Sequence, residues 1–159
     1  MIRSADESDA VAIANILAIS WKTAFMDIVD QNYSNSISAD KYIKLFTANI
    51  KENKEMIYVN DENKVNGFIS GVISNEKYDC QIIGLYLLPE KQRKGVGKEL
   101  VNKMITYFKE KRKKNVIIWT INGAKNNGFY EHIGFKKAEY KELKIGEKIY
   151  PGVGFSKVI

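Results

Sequence analysis

The chain has 159 residues, and its 25 Lys and Arg exceed its 19 Asp and Glu, which gives a formal net charge of +6. Hydrophobic residues make up 45% of the sequence, so we expect residues 1–159 to form a single globular domain. The one cysteine, Cys80, excludes an internal disulfide, and no Cys/His cluster predicts a metal site. Without an apolar membrane span or leader, we expect a cytoplasmic protein that does not enter a membrane.

The first half of the chain predicts a strand and two helices. Ile2-Arg3 begins the strand, and a helix capped by Asp6 or Ser8 follows it. The predicted apolar face of that helix comprises Ala14, Leu17, Ala18, Trp21 and Phe25. Residues 26–38 are polar and predict an irregular segment, and a second helix follows Ser38. The predicted buried stripe of the second helix comprises Tyr42, Leu45, Phe46 and Ile50.

Residues 55–88 predict an antiparallel meander of three strands. The strands begin at Met56, Val65 and Cys80, and turns over 61–64 and 75–77 separate them. The third strand is an apolar run that ends before Pro89, so we expect it to be buried on both faces.

The second half of the chain alternates helices and strands. A loop leads to Gly95, and a long helix with a Val96-to-Phe108 apolar side follows it. The strand over 116–121 lies after this helical crossover, so we expect it to be parallel to residues 80–88. A short helix over 125–133 and two strands, 135–145 and 148–157, complete a mixed α/β (α+β) domain with one central sheet.

The strongest chemical feature is the strand, loop and helix over residues 85–100. Gly95 and Gly97 allow a ligand to approach the backbone, and the first helical turn offers unpaired amides with partial positive charge. Arg93, Lys94 and Lys98 add charge at the rim. This arrangement suits a pyrophosphate, although a plain strand-to-helix connection also accounts for two glycines.

Two ordered motifs resemble those of the GNAT-type N-acetyltransferase superfamily. Gln92-x-x-Gly95-x-Gly97 is similar to its pyrophosphate loop, and Phe129-Tyr-Glu-His-Ile-Gly-Phe135 is similar to its late signature. The resemblance covers essentially the whole chain. It implies a GNAT-like, mostly antiparallel mixed sheet of about six to seven strands with a splayed parallel pair, flanked by about four helices.

The same resemblance implies an enzyme that transfers an acetyl group from acetyl-CoA to a primary amine by direct attack in a ternary complex. The residues it implies for cofactor binding are Leu87, Leu88, Gln92, Arg93, Lys94, Gly95, Val96, Gly97, Lys98, and one of Asn122 and Asn127. Either asparagine has a capping role as its alternative. The resemblance implies no metal.

Tyr130 matches the family's usual general acid, and the backbone amide of Leu87 would stabilise the oxyanion. The alternative for Tyr130 is a core aromatic residue. Many relatives place a Glu base where this chain has Gln81, which cannot act as a base. Asp79 or a water chain remains open, and we assign no base.

The acceptor side is less defined. Trp21, Phe25 and Tyr33 are candidates to line an acceptor pocket, although Trp21 and Phe25 also fit the core stripe of the first helix. Asp27 and Asp30 either attract a cationic amine or lie in a solvated loop. We expect His132 to be a surface or packing residue and Cys80 to be a small buried hydrophobe.

Two rival functions remain. A non-catalytic CoA-binding or regulatory domain on the same fold is favoured by Gln81, and an RNA-binding protein would use the basic segment Lys109–Lys114. The absence of a stacking motif disfavours RNA, so we expect no nucleic-acid partner. We expect an amine-bearing small molecule or peptide as acceptor, and a homodimer is an open possibility.

Overall fold

The structure is a computed structural model that describes residues 1–25, 27–74 and 76–159. Residue 26, the first of the predicted irregular segment, and residue 75, the first of the predicted turn 75–77, lie outside these ranges. No helix in the described ranges is long and apolar enough to span a membrane.

The strands of the described chain are β1 (Ile2–Ser4), β2 (Met56–Asp61), β3 (Val65–Ile73), β4 (Cys80–Leu87), β5 (Asn115–Ile121), β6 (Lys136–Ile145) and β7 (Lys148–Val158). The α-helices are α1 (Ala10–Ala24), α2 (Gln31–Ser36), α3 (Ala39–Lys51), α4 (Val96–Glu110) and α5 (Asn126–His132). The strands form one sheet in the order β1-β2-β3-β4-β5-β7-β6. Only the β4–β5 pair is parallel, which confirms the predicted mixed sheet.

Helices cover both faces of the sheet. Phe68 and Ile69 are neighbours on β3 and therefore point to opposite faces. Ile69 lies in the core cluster with α4 and α5, whose central residues include Leu100 and Phe108. Phe68 lies in the cluster with α1 and α3. The predicted apolar side of α4 is confirmed, since its residues from Val96 to Phe108 include six buried apolar side chains at helical spacing.

The parallel pair separates along its length. Pairing joins Cys80–Ile82 of β4 only to Val116–Ile118 of β5, and the rest of the two strands is not hydrogen-bonded together in the described structure. The register of β4 against β3 also shifts, because Gly71 pairs with Ile82 and Ser70 pairs with Gly84. Ile83 is thus the extra residue of a bulge, which reverses the facing of the residues that follow. The predicted splay is confirmed.

Three sequence predictions are wrong. Residues 26–38 contain helix α2, which begins where the Asp30 carboxylate accepts a hydrogen bond from the Asn32 amide at 3.2 Å. The described ranges thus hold five α-helices, in keeping with the predicted number of about four. Strand β4 is not buried on both faces, because Ile83 at the bulge is 44% exposed. Leu45 of α3 is 48% exposed, and Asn49 occupies the buried stripe instead.

Candidate active site

A run of unpaired backbone amides lies between β4 and α4. Arg93 to Lys98 contribute six consecutive amides, and none of them donates a hydrogen bond to any described residue. The first amide of α4 that does so is that of Glu99, which bonds to the Gly95 carbonyl at 3.0 Å. Arg93 and Gly95 have φ angles of +61° and +84°, which curl the segment into a concave loop. Such a nest of amides at a helix start binds anions.

The basic residues around this loop differ in their partners. Lys91 forms an ion pair with Glu62. Arg93, Lys94 and Lys98 are exposed, and none of them pairs with an acid in the described ranges. Three cations are therefore available to an anion that occupies the loop.

The end of β4 divides the backbone groups of Leu87 and Leu88 between two sides. The Leu88 amide donates to Asn66 of β3 at 2.9 Å, and its carbonyl accepts from the Lys91 amide at 2.9 Å. Backbone groups alternate along a strand, so those of Leu87 point the other way, into the gap between β4 and β5. The Leu88 amide is thus occupied within the fold, whereas the Leu87 amide is exposed to the gap. A contact of Leu88 with the cofactor stays a prediction.

Gln92 ties the loop to this strand. Its side-chain amide donates to the Leu87 carbonyl at 3.5 Å, and its backbone amide donates to the Pro89 carbonyl at 3.3 Å. The side chain is exposed. Gln92 therefore positions the loop and keeps one amide hydrogen for a ligand.

At Gly97 the segments that carry the two sequence motifs pack against each other. A Cβ atom on Gly97 would lie 3.3 Å from the Phe129 ring and 3.4 Å from the Leu87 side chain. Gly97 and Val96 are both buried. The start of α4 therefore packs against α5 through a position that only glycine fills without displacing a neighbour.

The asparagines after β5 have mainly structural partners. Asn127 is 6% exposed, accepts from the Gly123 amide and donates to the Ile121 carbonyl, both at 3.0 Å. These bonds hold the turn after β5, and Asn127 does not cap α5, whose start has no side-chain capping bond. Its contact with a cofactor stays a prediction. Asn122 is exposed and accepts from Lys137 at 3.4 Å.

Asn126 is a candidate for contact with a ligand that the sequence motifs did not indicate. Its carbonyl oxygen accepts from Thr120 and from the Asn127 side chain, both at 3.0 Å. These bonds orient the side chain of Asn126 at the start of α5, and its two amide hydrogens have no partner within the described chain.

Tyr130 is 3% exposed and lies in an aromatic cluster with ring-centroid distances of 5.3 Å to Phe129 and 5.7 Å to Phe155. Its hydroxyl has no hydrogen-bond partner among the residues that the structure describes. Burial raises the pKa of Tyr130 above its ordinary value of 10.0, and the nearby Tyr86 hydroxyl raises it further. The phenol therefore stays protonated at neutral pH, as an acid must.

The structure offers no carboxylate at the predicted position of a base. Gln81 lines an open cleft of about 710 Å³ on the α1 side of the sheet, beside Ile117 and Trp119. The Asp79 carboxylate accepts from the backbone amides of Lys114 and Asn115 at 2.9–3.2 Å. Asp79 thus caps the start of β5 and has a structural role.

The remaining predictions divide by location. Cys80 is fully buried, and burial raises the pKa of its thiol to about 12, so it is an inert core residue as predicted. His132 is on the surface, as predicted. Asp27 is exposed beside Lys125, and Asp30 pairs with Lys148 at 3.5 Å.

The predicted acceptor aromatics are half-buried beside the end of β4. The ring centroids of Trp21 and Phe25 are 4.8 Å apart, and Trp21 meets Tyr33 edge-on at 5.7 Å. Tyr42 and Tyr86 join them and were not predicted there, because they come from α3 and from the reversed part of β4. The structure therefore places side chains of four elements around one mouth of the β4–β5 gap.

A chain of polar side chains holds the loop from behind. Buried Asn60 donates to Asn66 at 2.8 Å, and Asn66 donates to Glu62 at 3.2 Å. Glu62 pairs with Lys91, and the Asn66 carbonyl accepts from Leu88. The β2–β3 hairpin is thus bonded to both ends of the turn that precedes the amide run.

Comparisons with known proteins agree with this architecture. Residues 21–135 match the profile of the family described as "Acetyltransferase (GNAT) family", and the chain belongs to that family. It is 28% identical over 134 residues to YuaI of Bacillus subtilis (strain 168), described as an uncharacterized N-acetyltransferase, over 82% of this chain and 76% of YuaI.

Two solved structures show the same fold. PaiA N-acetyltransferase from Thermoplasma acidophilum, in complex with coenzyme A, is 21% identical with a TM-score of 0.84, over 100% of this chain and 98% of that one. YncA from Salmonella typhimurium, with acetyl-CoA, is 19% identical with a TM-score of 0.73, over 99% of this chain and 92% of that one. The fold predicted from the two motifs is confirmed.

Proposed function

We propose that the protein is an acetyl-CoA-dependent N-acetyltransferase that acetylates a primary amine by direct attack. The observation that carries the proposal is the run of six unpaired amides from Arg93 to Lys98, beside the unpaired edge of β4 at Leu87. The diphosphate of the cofactor fits the run of amides, and its extended, amide-containing arm fits the unpaired edge of β4. The coenzyme A and acetyl-CoA complexes of the two structural neighbours support this assignment.

The chain's own residues have separate roles in this proposal. The loop amides and the side chains of Arg93, Lys94 and Lys98 bind the diphosphate. The Leu87 amide donates to the carbonyl oxygen of the acyl group and stabilises the charge that develops there. When bound, acetyl-CoA supplies a thioester whose acyl carbon is open to attack by an amine.

Tyr130 is the proposed proton donor to the leaving group. The N–C bond forms as the C–S bond breaks, and the Tyr130 hydroxyl gives its proton to the departing thiolate. The conjugate acid of the leaving thiolate has a pKa of about 8.5 and is a stronger acid than the phenol, so Tyr130 gives its proton as the C–S bond breaks and takes a proton back from water afterwards. The aromatic neighbours of Tyr130 hold its ring in place. The proton of the attacking amine leaves through water, because the described residues offer no carboxylate at the position of Gln81.

The proposal also retains the predicted cytoplasmic location. The single cysteine, Cys80, is free and buried, and disulfides are characteristic of oxidising compartments.

Calorimetric titration of acetyl-CoA tests the cofactor assignment. We expect micromolar binding to the native protein and at least about a hundredfold weaker binding to Gly95→Glu, which places a negative charge and a strained side chain in the loop. Asn53→Glu is the matched control. Asn53 also has a positive φ, of 52°, but lies before β2 at the opposite end of the sheet, so we expect native affinity. Equal binding by both variants would refute the site.

The second candidate is a domain that binds acetyl-CoA without catalysis, which the glutamine at position 81 favours. Measurement of CoA release in the presence of a panel of amines separates the two. Release above the rate of spontaneous hydrolysis, lost in Tyr130→Phe, supports the enzyme. Binding without release supports the alternative.

A further inference from the structure

We infer that the acceptor is an alkyl primary amine without a carboxylate beside its nitrogen, bound as its ammonium ion by an aromatic pocket on the α1 side of the β4–β5 gap. This inference rests on the proposed function and specifies its substrate class. The aromatic pocket is formed by Trp21, Phe25, Tyr33, Tyr42 and Tyr86.

The pocket residues converge from four elements. Trp21 comes from α1, Tyr33 from α2, Tyr42 from α3 and Tyr86 from β4. All of them are half-buried, so they keep accessible surface although they lie between packed elements. Burial raises the pKa of Tyr86 to about 12. A side chain that is deeply surrounded and still accessible lines a recess rather than a closed core.

The pocket side chains pack against one another. Trp21 meets Tyr33 edge-on at 5.7 Å, and Trp21, Tyr42 and Tyr86 pack against the same core cluster. Burial, and then interaction with the neighbouring tyrosine Tyr42, raises the pKa of Tyr33. The pocket therefore presents hydroxyl oxygens beside aromatic faces, which together suit an ammonium group.

Tyr86 connects this pocket to the reacting centre. It immediately precedes Leu87 on β4, and the bulge at Ile83 directs it to the α1 side of the sheet. Its ring lies over Gly84, where a Cβ atom would come within 2.5 Å of the ring. Since Tyr86 and Leu87 are consecutive on β4, an amine in the pocket is next to the proposed acyl position at the Leu87 amide.

Lysine side chains lie near several aromatic rings elsewhere on the protein, but not near the rings of the pocket. Five lysines lie 4.0–5.8 Å from the centroids of aromatic rings in the described structure, and none of these rings belongs to the pocket. In a chain with 25 Lys and Arg, the pocket rings keep their faces free of the protein's own cations. An external ammonium is the group that such faces attract.

The charged side chains at the rim of the pocket are already paired with one another, so they do not favour binding of a carboxylate. Asp30 is paired with Lys148, and Asp27 is 4.0 Å from Lys125, so the acids and bases at this rim neutralise each other. The Gly146 turn between β6 and β7 closes one side, since a Cβ atom there would lie 2.8 Å from the Tyr33 ring. An amine that carries a carboxylate beside its nitrogen would bury that charge without a partner.

Acetyl transfer to matched amines tests the inference. n-Pentylamine and norleucine share one carbon chain, but norleucine carries a carboxylate beside its amine. We expect kcat/KM for n-pentylamine to exceed that for norleucine by at least about tenfold. Nα-acetyl-lysine methylamide carries the same alkyl amine as a peptide side chain, and its rate relative to n-pentylamine distinguishes a protein acceptor from a free amine. A preference for norleucine would overturn the inference.

Substitution in the pocket gives a second readout. We expect Tyr42→Leu to raise the KM for n-pentylamine about tenfold and to leave the calorimetric affinity for acetyl-CoA unchanged. Tyr140→Leu is the matched control, since Tyr140 lies on β6 and is 64% exposed. We expect native kinetics from it. Equal amine KM values in the two variants would contradict the aromatic pocket.

These outcomes separate the two proposals. If acetyl-CoA does not bind, the proposed function fails and the inference fails with it. If acetyl-CoA binds and another class of amine is acetylated while n-pentylamine and the lysine amide are not, the proposed function stands and only the inference is overturned.

Discussion

The two sides of the β4–β5 gap are built from different parts of the chain. The proposed cofactor side consists largely of backbone groups: six amides of one loop and the amide of Leu87. The proposed acceptor side consists of side chains, with Trp21, Tyr33 and Tyr42 carried by three helices that precede the strands of the site.

The difference has a physical origin. A diphosphate is recognised by amides in a fixed curve, and the curve depends on a few glycines at set spacing. An amine is recognised by whatever side chains surround it, and many combinations of aromatic residues produce a similar pocket. The cofactor side is therefore constrained to a short local motif, whereas the acceptor side is free to vary.

The largest effect we expect is from Tyr130→Phe, which removes the proton donor without changing the ring. Turnover should fall about a hundredfold or more, with little change in the affinity for acetyl-CoA, because the hydroxyl acts in the transition state. Stopped-assay measurement of kcat together with calorimetry checks both parts. Unchanged turnover would leave Tyr130 as a core aromatic residue only.

A smaller effect on the cofactor side should follow from Asn66→Ala. The change removes the hydrogen bond from buried Asn60 to Asn66 and the bond from Asn66 to Glu62, which keeps only Lys91 as its partner, so we expect the protein to lose about 1–3 kcal/mol of unfolding free energy. The loop also loosens, so the KM for acetyl-CoA should rise severalfold while the KM for the amine stays the same. Urea unfolding and two-substrate kinetics measure the two effects. An equal rise in both KM values would show that Asn66 does not act through the loop.

Two helical glycines give a matched pair with opposite signs. Gly97→Ala forces a Cβ against Phe129 and Leu87, so we expect a loss of about 1 kcal/mol in stability and weaker acetyl-CoA binding. Gly128→Ala in α5 meets no described atom within 4 Å, so we expect a gain of about 0.5–1 kcal/mol from helix propensity. Thermal unfolding compares them. The same sign in both variants would contradict the close packing of α4 on α5.

The smallest expected effect is the absence of an alkaline limb in the pH profile. The pKa of Tyr130 is raised above 10.0, so its acid form persists below that pH, while a rising pH produces more of the neutral, attacking amine. The rate constant kcat should therefore rise with pH and show no fall from this group up to about pH 10. A fall near neutral pH would assign the acid to another residue.

The sequence predicted the backbone-built side of the β4–β5 gap better than the side that is built from side chains. The loop around Gly95 and Gly97, the splay and the position of Tyr130 follow from short motifs, because glycine spacing and chain order determine local geometry directly. The α2 helix was missed because six polar residues have no amphipathic pattern of their own and depend on the Asp30 cap and on their packing.

Within the site, the bulge at Ile83 accounts for the errors in the prediction of strand β4. Alternation along β4 was expected to be regular, but the extra residue Ile83 exposes one side chain and redirects Tyr86 to the acceptor side. A bulge depends on pairing with the neighbouring strand, so a single strand's sequence does not reveal it. The partners of the Leu88 amide and of the Asn127 side chain lie outside the motifs that contain these residues, so the motifs alone do not predict them.

Amide hydrogen exchange with and without acetyl-CoA tests the central claim most directly. The six amides of Arg93–Lys98 lack partners in the described structure, so in the free protein they should exchange within the earliest time points. With saturating acetyl-CoA we expect strong protection of this segment and of residues 85–88, and little change in residues 21–36, which include helix α2. Protection confined to residues 21–36, or none at the loop, would contradict the division between a backbone-built cofactor side and a side-chain-built acceptor side.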